Sequence, residues 1–242
     1  MRWSHAPIET VATYDVTVRR LRRQIQLGQL MPEERLPPER ILAGHLGVSR
    51  MTLREALRVL ETEGFITVKR GAKGGAFVCT IEKLDEIASA RLARNPADTL
   101  RAMEFRMALE PAAARFAAER RTPAHIKRME SGLTPKEQVG SPALHYRDQV
   151  EFHMALVEAS LNRWFVEAVT DSIANIFLPC QPNPNRDEIF KQVVQRRKIL
   201  EAIKNREGDE AAALLETLLS SEFLRIQKMT NRAKRSSQKD SK

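Results

Sequence analysis

The segment Ser49-Arg50-Met51-Thr52, with Arg54 and Arg58 behind it, gathers side chains able to grip or read a polyanion. Arginine pairs bidentately with guanine or with phosphate, and serine and threonine hydroxyls serve either partner. A second set of polar residues lies far along the chain, at Arg106, Glu110, Gln149, His153 and Arg196, each set among apolar neighbours at helical spacing. Two guanidiniums, an imidazole and an amide suit a carboxylate or phosphate better than they suit a cation. No nucleophile elbow, phosphate loop or paired-carboxylate site accompanies them, so the sequence reads as a binding protein and not as an enzyme.

The first set can work only from a helix whose opposite face is buried. Leu53, Ala56, Leu57 and Leu60 supply that face at i, i+3, i+4 and i+7, and Ser49 is a suitable N-cap. Arg54 and Arg58 then face outward, and Arg50, Met51 and Thr52 occupy the exposed first turn. A shorter helix precedes it, opened by Pro37-Pro38-Glu39-Arg40 and stopped by Gly47, so residues 39–57 form a helix-turn-helix. Upstream, Val18, Leu21, Ile25 and Leu27 predict an amphipathic helix over 17–28 that ends at Gly28. Downstream, residues 65–69 and 76–78 read as strands around the turn 70–75, a hairpin with Arg70, Gly71 and Lys73 at its tip. Such a wing can lie along the minor groove, where arginine favours the narrow, negative cleft.

The blocks Leu36-Pro37-Pro38-Glu39-Arg40, Leu46-Gly47-Val48-Ser49-Arg50, Leu53-Arg54-Glu55-Ala56-Leu57-Arg58-Val59-Leu60 and Glu63-Gly64-Phe65-Ile66 follow one another at set distances. In this the stretch 17–79 resembles the GntR family of bacterial winged-helix regulators. The resemblance implies DNA contacts at Arg40, Ser49, Arg50, Met51, Thr52, Arg54, Arg70 and Gly71. Met51 has no hydrogen to donate, so its contact would be apolar, as to a thymine methyl.

Beyond Thr80 the strand signals stop, and helical periodicity predicts helices at 83–94, 98–120, 123–132, 142–160, 163–178, 187–205 and 209–229. Asp98, Thr122 and Ser141 read as N-caps, and Asn183-Pro184 as a loop. The fold expected is mainly α, a winged helix-turn-helix over 1–79 followed by an all-helical bundle. The bundle proper spans 98–230, after a linker and first helix over 80–97, and 231–242 form a basic tail expected to be disordered. Helix 98–120 shows two apolar faces, one carrying Phe105, Leu109, Ala112 and Phe116, and so reads as central. Arg106 and Glu110 fall inside the other stripe, Gln149 and His153 inside the stripe of 142–160, and Arg196 inside that of 187–205. Charges forced inward must pair, meet water or line a pocket that receives a polar ligand. Arg106 and Glu110, four residues apart, could satisfy each other. Joined by His153 and Arg196, they read as a pocket for a small organic anion.

Glu104-Phe105-Arg106, Leu109-Glu110-Pro111-Ala112-Ala113, Ala117-Ala118-Glu119-Arg120, Phe152-His153 and Ala159-Ser160-Leu161-Asn162 resemble the helical effector domain, FCD, of the FadR subfamily. Many members of that subfamily hold a divalent metal through an Asp four residues before this histidine and through two later histidines. Here Gln149, Arg196 and Ser220 stand at those places. His145 lies about 12 Å along the helix axis from His153, and Asp148 about 140° around it, so neither joins it readily on one ion. No cofactor is therefore expected, a metal being disfavoured, and Arg196 is expected to supply positive charge instead.

The 242 residues carry forty Lys and Arg against thirty-one Asp and Glu, a net charge of +9. Residues 1–80 hold thirteen basic and eight acidic groups, 81–227 twenty-one and twenty-two, and 228–242 six and one. A basic front half and a neutral middle predict that one part meets a polyanion and another senses something else. Two cysteines cannot build a disulfide framework, no apolar run approaches the ~20 residues of a membrane span, and the opening residues lack a signal-peptide core. The partners expected are double-stranded operator DNA, a small organic anion and a second copy of the chain, with no membrane, in the cytoplasm. The function expected is a ligand-responsive regulator, a repressor of a carbohydrate-acid or organic-acid catabolic operon. A dimeric DNA-binding protein whose helical domain only dimerises remains the alternative.

Overall fold

A computed structural model describes residues 13–71, 74–133, 141–179 and 186–239, with 232–239 as helix backbone alone. The expected loop at Asn183-Pro184 and the opening segment lie outside the described residues. The chain divides into two compact units that meet in sequence at Thr80, with the short segment 26–29 grouped with the second.

In the first unit α1 (Thr13–Gln26) starts four residues earlier than periodicity predicts and buries Val18, Leu21 and Ile25. The short α2 (Glu39–Leu46) follows Pro38, whose carbonyl accepts from the amides of Ile41 and Leu42, and ends on Gly47 at φ +68°. Glycine enters that left-handed region without strain, so Gly47 turns the chain within two residues into the next helix. In α3 (Arg50–Thr62) Leu53, Ala56, Leu57 and Leu60 are all buried, as their spacing predicts. Strands β1 (Ile66–Lys69) and β2 (Gly75–Val78) pair antiparallel from Ile66 opposite Val78 to Lys69 opposite Gly75, and Arg35 bridges to Phe77. Lys69 and Arg35 both lie over the Phe77 ring, so two cations sit on the wing's aromatic face.

The second unit is all helical among its described residues. Its elements are α4 (Ile81–Arg94), α5 (Pro96–Arg120), α6 (Pro123–Ser131), α7 (Pro142–Ala159), α8 (Arg163–Ile176), α9 (Arg186–Lys204) and α10 (Gly208–Lys239). Central α5 packs on α4, α7, α8, α9 and α10, as its two apolar faces predict. One detail of those faces differs, because Phe105 is 46% exposed. The cap of α5 is Asn95, whose side chain accepts from the Asp98 amide, so Asp98 lies in the first turn and is not the cap. Thr122 caps α6 in a reciprocal box with His125, whereas Ser141 precedes α7 without a side-chain cap bond. The tail expected to be disordered from 231 is instead helical as far as Lys239. A helix that has already formed propagates at little cost per residue, so a polar extension can continue it.

Candidate DNA-binding surface and ligand cavity

Ser49 accepts from the Thr52 amide at 3.0 Å and lies 2.8 Å from the Thr52 hydroxyl, which fixes the first turn of α3. Arg40, Ser49, Arg50, Met51, Arg54, Arg70 and Gly71 are exposed, and Thr52 is half-buried. Met51, at 63% exposure, stands out from the turn with no apolar partner to hide it. Arg50 opens α3 and Arg40 lies in α2, and neither makes a hydrogen bond or ion pair among the described residues. Arg70 at the wing tip is likewise unpaired among the described residues, next to Gly71 at φ +104°. Two residues of that tip, 72 and 73, lie outside the described residues. Arg54 differs, since its Nε donates to Glu39 at 2.8 Å. That bond leaves both terminal nitrogens for a partner and holds the guanidinium at one end. The helix-turn-helix and the wing thus present bare positive charge, the arrangement by which regulators of this shape grip phosphates and read base edges.

The bundle interior places Arg106, Gln149, His153 and Arg196 out of solvent, at 4, 8, 1 and 0% exposure. Glu110 joins two of them. Its carboxylate accepts from Arg106 Nε at 2.5 Å and faces His153 Nδ1 at 2.5 Å. Burial pushes the Glu110 carboxyl up, but Arg106 and His153 outweigh it and hold it at about 2. Burial likewise opposes the charge on Arg106, and Glu110 with Glu222 more than restores it. Gln149 donates to Glu222 at 2.8 Å, so α10 contributes a carboxylate to the same interior.

Arg106, Gln149 and His153 line a cavity with about 420 Å³ of free space, mouth included. Its polar wall also holds Tyr146, Glu222 and Arg225, and its apolar wall Met103, Val150, Ile173, Ile176, Phe177, Leu178 and Ile226. Arg106 Nη2 and His153 Nε2 are buried there without a hydrogen-bond partner among the described residues. Arg225 makes no hydrogen bond or ion pair among them, and burial lowers its pKa against the pull of Glu222 and Glu188.

Arg196 is not in the wall of this cavity, which corrects the grouping that the helical wheel predicts. A wheel gives the inward direction of a side chain but not which interior space it enters. Arg196 is enclosed within electrostatic reach of Asp148, His145 and Glu222, and none of its three guanidinium nitrogens has a hydrogen-bond partner among the described residues. Burial depresses it to about 10, Glu222 and Asp148 recovering only part of the loss. Burial and then Arg196 depress His145 to about 4, although its Nε2 contacts Gln192 at 3.2 Å.

Spacing did not disclose Glu222 and Arg225. A signal was present, since Glu222 falls between Leu218 and Ile226 in the buried stripe of α10. The donor set does not fit the divalent metal that the subfamily resemblance implies. His153 Nδ1 is committed to Glu110, Gln149 is an amide engaged by Glu222, and Arg196 is a cation. Among the described residues no three His, Cys, Asp or Glu side chains are grouped to hold an ion.

The fold and these two sites define a regulator that binds DNA through a winged helix and carries a helical sensor-type domain. Comparison places it more closely. Residues 13–78 match "Bacterial regulatory proteins, gntR family" and residues 80–221 match the FCD domain, so the chain belongs to the GntR family and carries an FCD domain. It is 27% identical over 223 residues to the HTH-type transcriptional repressor NanR of Cronobacter sakazakii, covering 88% of this chain and 85% of that one. It is 28% identical to the HTH-type transcriptional regulator LutR of Bacillus subtilis, covering 79% and 90%. It is 35% identical to the Uxu operon transcriptional regulator of Escherichia coli over 58% of this chain and 56% of that protein's length. The solved structure of E. coli McbR/YncC, 20% identical, shares the fold with a TM-score of 0.51 over 90% of this chain and 99% of that chain. The protein is a transcription regulator of the GntR type. Among the described residues no helix is long and apolar enough to cross a membrane.

Proposed function

We propose that this regulator represses a catabolic operon for organic or carbohydrate acids, acting in the cytoplasm as a homodimer whose operator affinity is changed by a small organic anion held in the bundle. A two-fold dimer would set two α3 helices in successive major-groove turns. Arg40, Ser49, Arg50, Met51, Thr52, Arg54, Arg70 and Gly71 would make the DNA contacts. Arg106, Gln149 and His153 would touch the effector, with Arg196 acting on them through the field it shares with Glu222.

The observation that carries this reading is the partly apolar cavity with Arg106 Nη2, His153 Nε2 and Arg225 uncommitted, inside a chain whose first domain displays unpaired arginines. Buried donors without partners are costly, and an anionic ligand would satisfy them. The names of NanR, LutR and the Uxu operon regulator, all of them regulators and one a repressor, agree with it. Ligand control would follow from different affinities of the effector for the DNA-competent and DNA-incompetent states.

A thermal-shift screen against sugar acids, hydroxy acids, dicarboxylates and fatty acyl compounds tests the reading. At least one class raises Tm in the wild type and not in Arg225→Gln. A bundle that only dimerises is the second reading, favoured by Glu110 already satisfying both Arg106 and His153. It predicts no shift with any class.

A further inference from the structure

The cavity offers its occupant a fixed set of donors and acceptors. Glu110 is ionised at neutral pH and faces His153 Nδ1 at 2.5 Å, so the uncharged ring carries its hydrogen on Nδ1 and donates it to the carboxylate. Nε2 is then a bare lone pair, buried and without a hydrogen-bond partner among the described residues, on a side chain that lines the cavity. The uncommitted cationic donors are Arg106 Nη2 and the guanidinium of Arg225. Opposite these groups the wall is apolar, formed by Ile173, Ile176, Phe177 and Leu178.

Resting on the effector reading above, we infer that the cavity selects a hydroxy-carboxylate, whose carboxylate is taken by Arg225 and Arg106 Nη2 while its hydroxyl donates to Nε2 of His153. The two arginines explain affinity for acids in general, through charge-assisted hydrogen bonds. His153 explains a choice among acids. An oxo acid of the same skeleton brings a carbonyl lone pair against the Nε2 lone pair, and an unsubstituted acid leaves Nε2 buried and unpaired. Glu110 is therefore a specificity-determining residue without touching the ligand, because it decides which ring nitrogen carries the hydrogen.

Calorimetric titration of the full chain with matched pairs tests this: lactate with pyruvate, 3-hydroxybutyrate with acetoacetate, and 2-hydroxyglutarate with 2-oxoglutarate. Any acid found in the wider screen is compared with its oxo and deoxy counterparts. The hydroxy form of each binding pair is expected to bind about tenfold or more tightly, the size of one net hydrogen bond in a dry site. Nitrogen-15 spectra of labelled histidine, with His153 assigned through His153→Gln, read the tautomer without any ligand. They are expected to show Nε2 unprotonated, and its resonance to move when a hydroxy acid is added. Hydroxy and oxo forms binding equally, or a hydrogen found on Nε2 of the neutral ring, overturns the inference while leaving an acid-sensing bundle in place. Failure of every acid in the wider screen to bind the wild type overturns both readings.

Discussion

The arginines of the two domains are handled in opposite ways. In the winged helix Arg40, Arg50 and Arg70 stand in solvent without ion pairs among the described residues, and Arg54 is tethered by one nitrogen. In the bundle Arg106 is sealed against Glu110, with Glu222 at 3.9 Å, and Arg196 is fully enclosed. Solvated charge costs little and stays available to a polyanion, whereas enclosed charge persists only where carboxylates or a ligand compensate it. The first domain therefore stores binding capacity on its surface, and the second stores it as unmet hydrogen-bonding demand.

The largest expected effect attacks the enclosed set. Glu110→Ala leaves Arg106 and His153 without their shared carboxylate and is expected to cost about 3–5 kcal/mol in urea unfolding followed by circular dichroism. A cost under about 1 kcal/mol would show that the interior is wetter than its burial implies. On the exposed side Arg54→Ala removes no buried partner, so the fold should keep its stability. Operator affinity is expected to fall by about 1–3 kcal/mol if Arg54 pairs bidentately with a base. A fluorescence-anisotropy titration with the operator reads that number, and an unchanged Kd removes Arg54 from the interface.

The pH dependence sharpens the contrast, because burial shifts the interior groups. His145 is held at about 4 against an ordinary 6.5, so the unfolded chain binds a proton there that the folded chain refuses. Its contribution is full above about 6.5 and is lost as pH falls toward 4, about 2 kcal/mol of it between pH 7 and pH 5. Glu110, depressed from 4.5 to about 2, adds a second loss that sets in only below about 4.5. Unfolding of His145→Gln at pH 7 and pH 5 should show the first loss removed. A variant that tracks the wild type at both values contradicts the assignment. The smallest effect is expected at Ser49→Ala, where losing the cap of α3 costs about 1 kcal/mol of winged-helix stability, measured by hydrogen exchange of the α3 amides.

Much of this was legible before any coordinates. Ser49, the stripe from Leu53 to Leu60 and the stop at Gly47 are local signals, and local signals survive folding. Inward placement of Arg106, Gln149, His153 and Arg196 also followed from periodicity, because a helix of known register has one direction to its neighbours. The partners of those residues did not follow. Glu222 lies seventy-three residues from Gln149 in sequence, and only the packing of α10 on the rest of the bundle brings them together. On α7 nearly every side chain from Asp148 to Val157 is buried, so no face marks Asp148 as different from Gln149. The separation of Arg196 from the cavity is a matter of which void each helix borders, and no pattern within one helix records that.

The central claim is that occupation of the bundle changes what the winged helix does. The direct test is one titration of a duplex selected by the protein itself, at fixed salt, with and without a saturating concentration of the acid that most raises Tm. The account predicts that the two Kd values differ by about 5–150-fold, the usual range of coupling between sites, and that the difference vanishes in Arg225→Gln. Superimposed curves for the wild type, with the acid demonstrably bound, would contradict it.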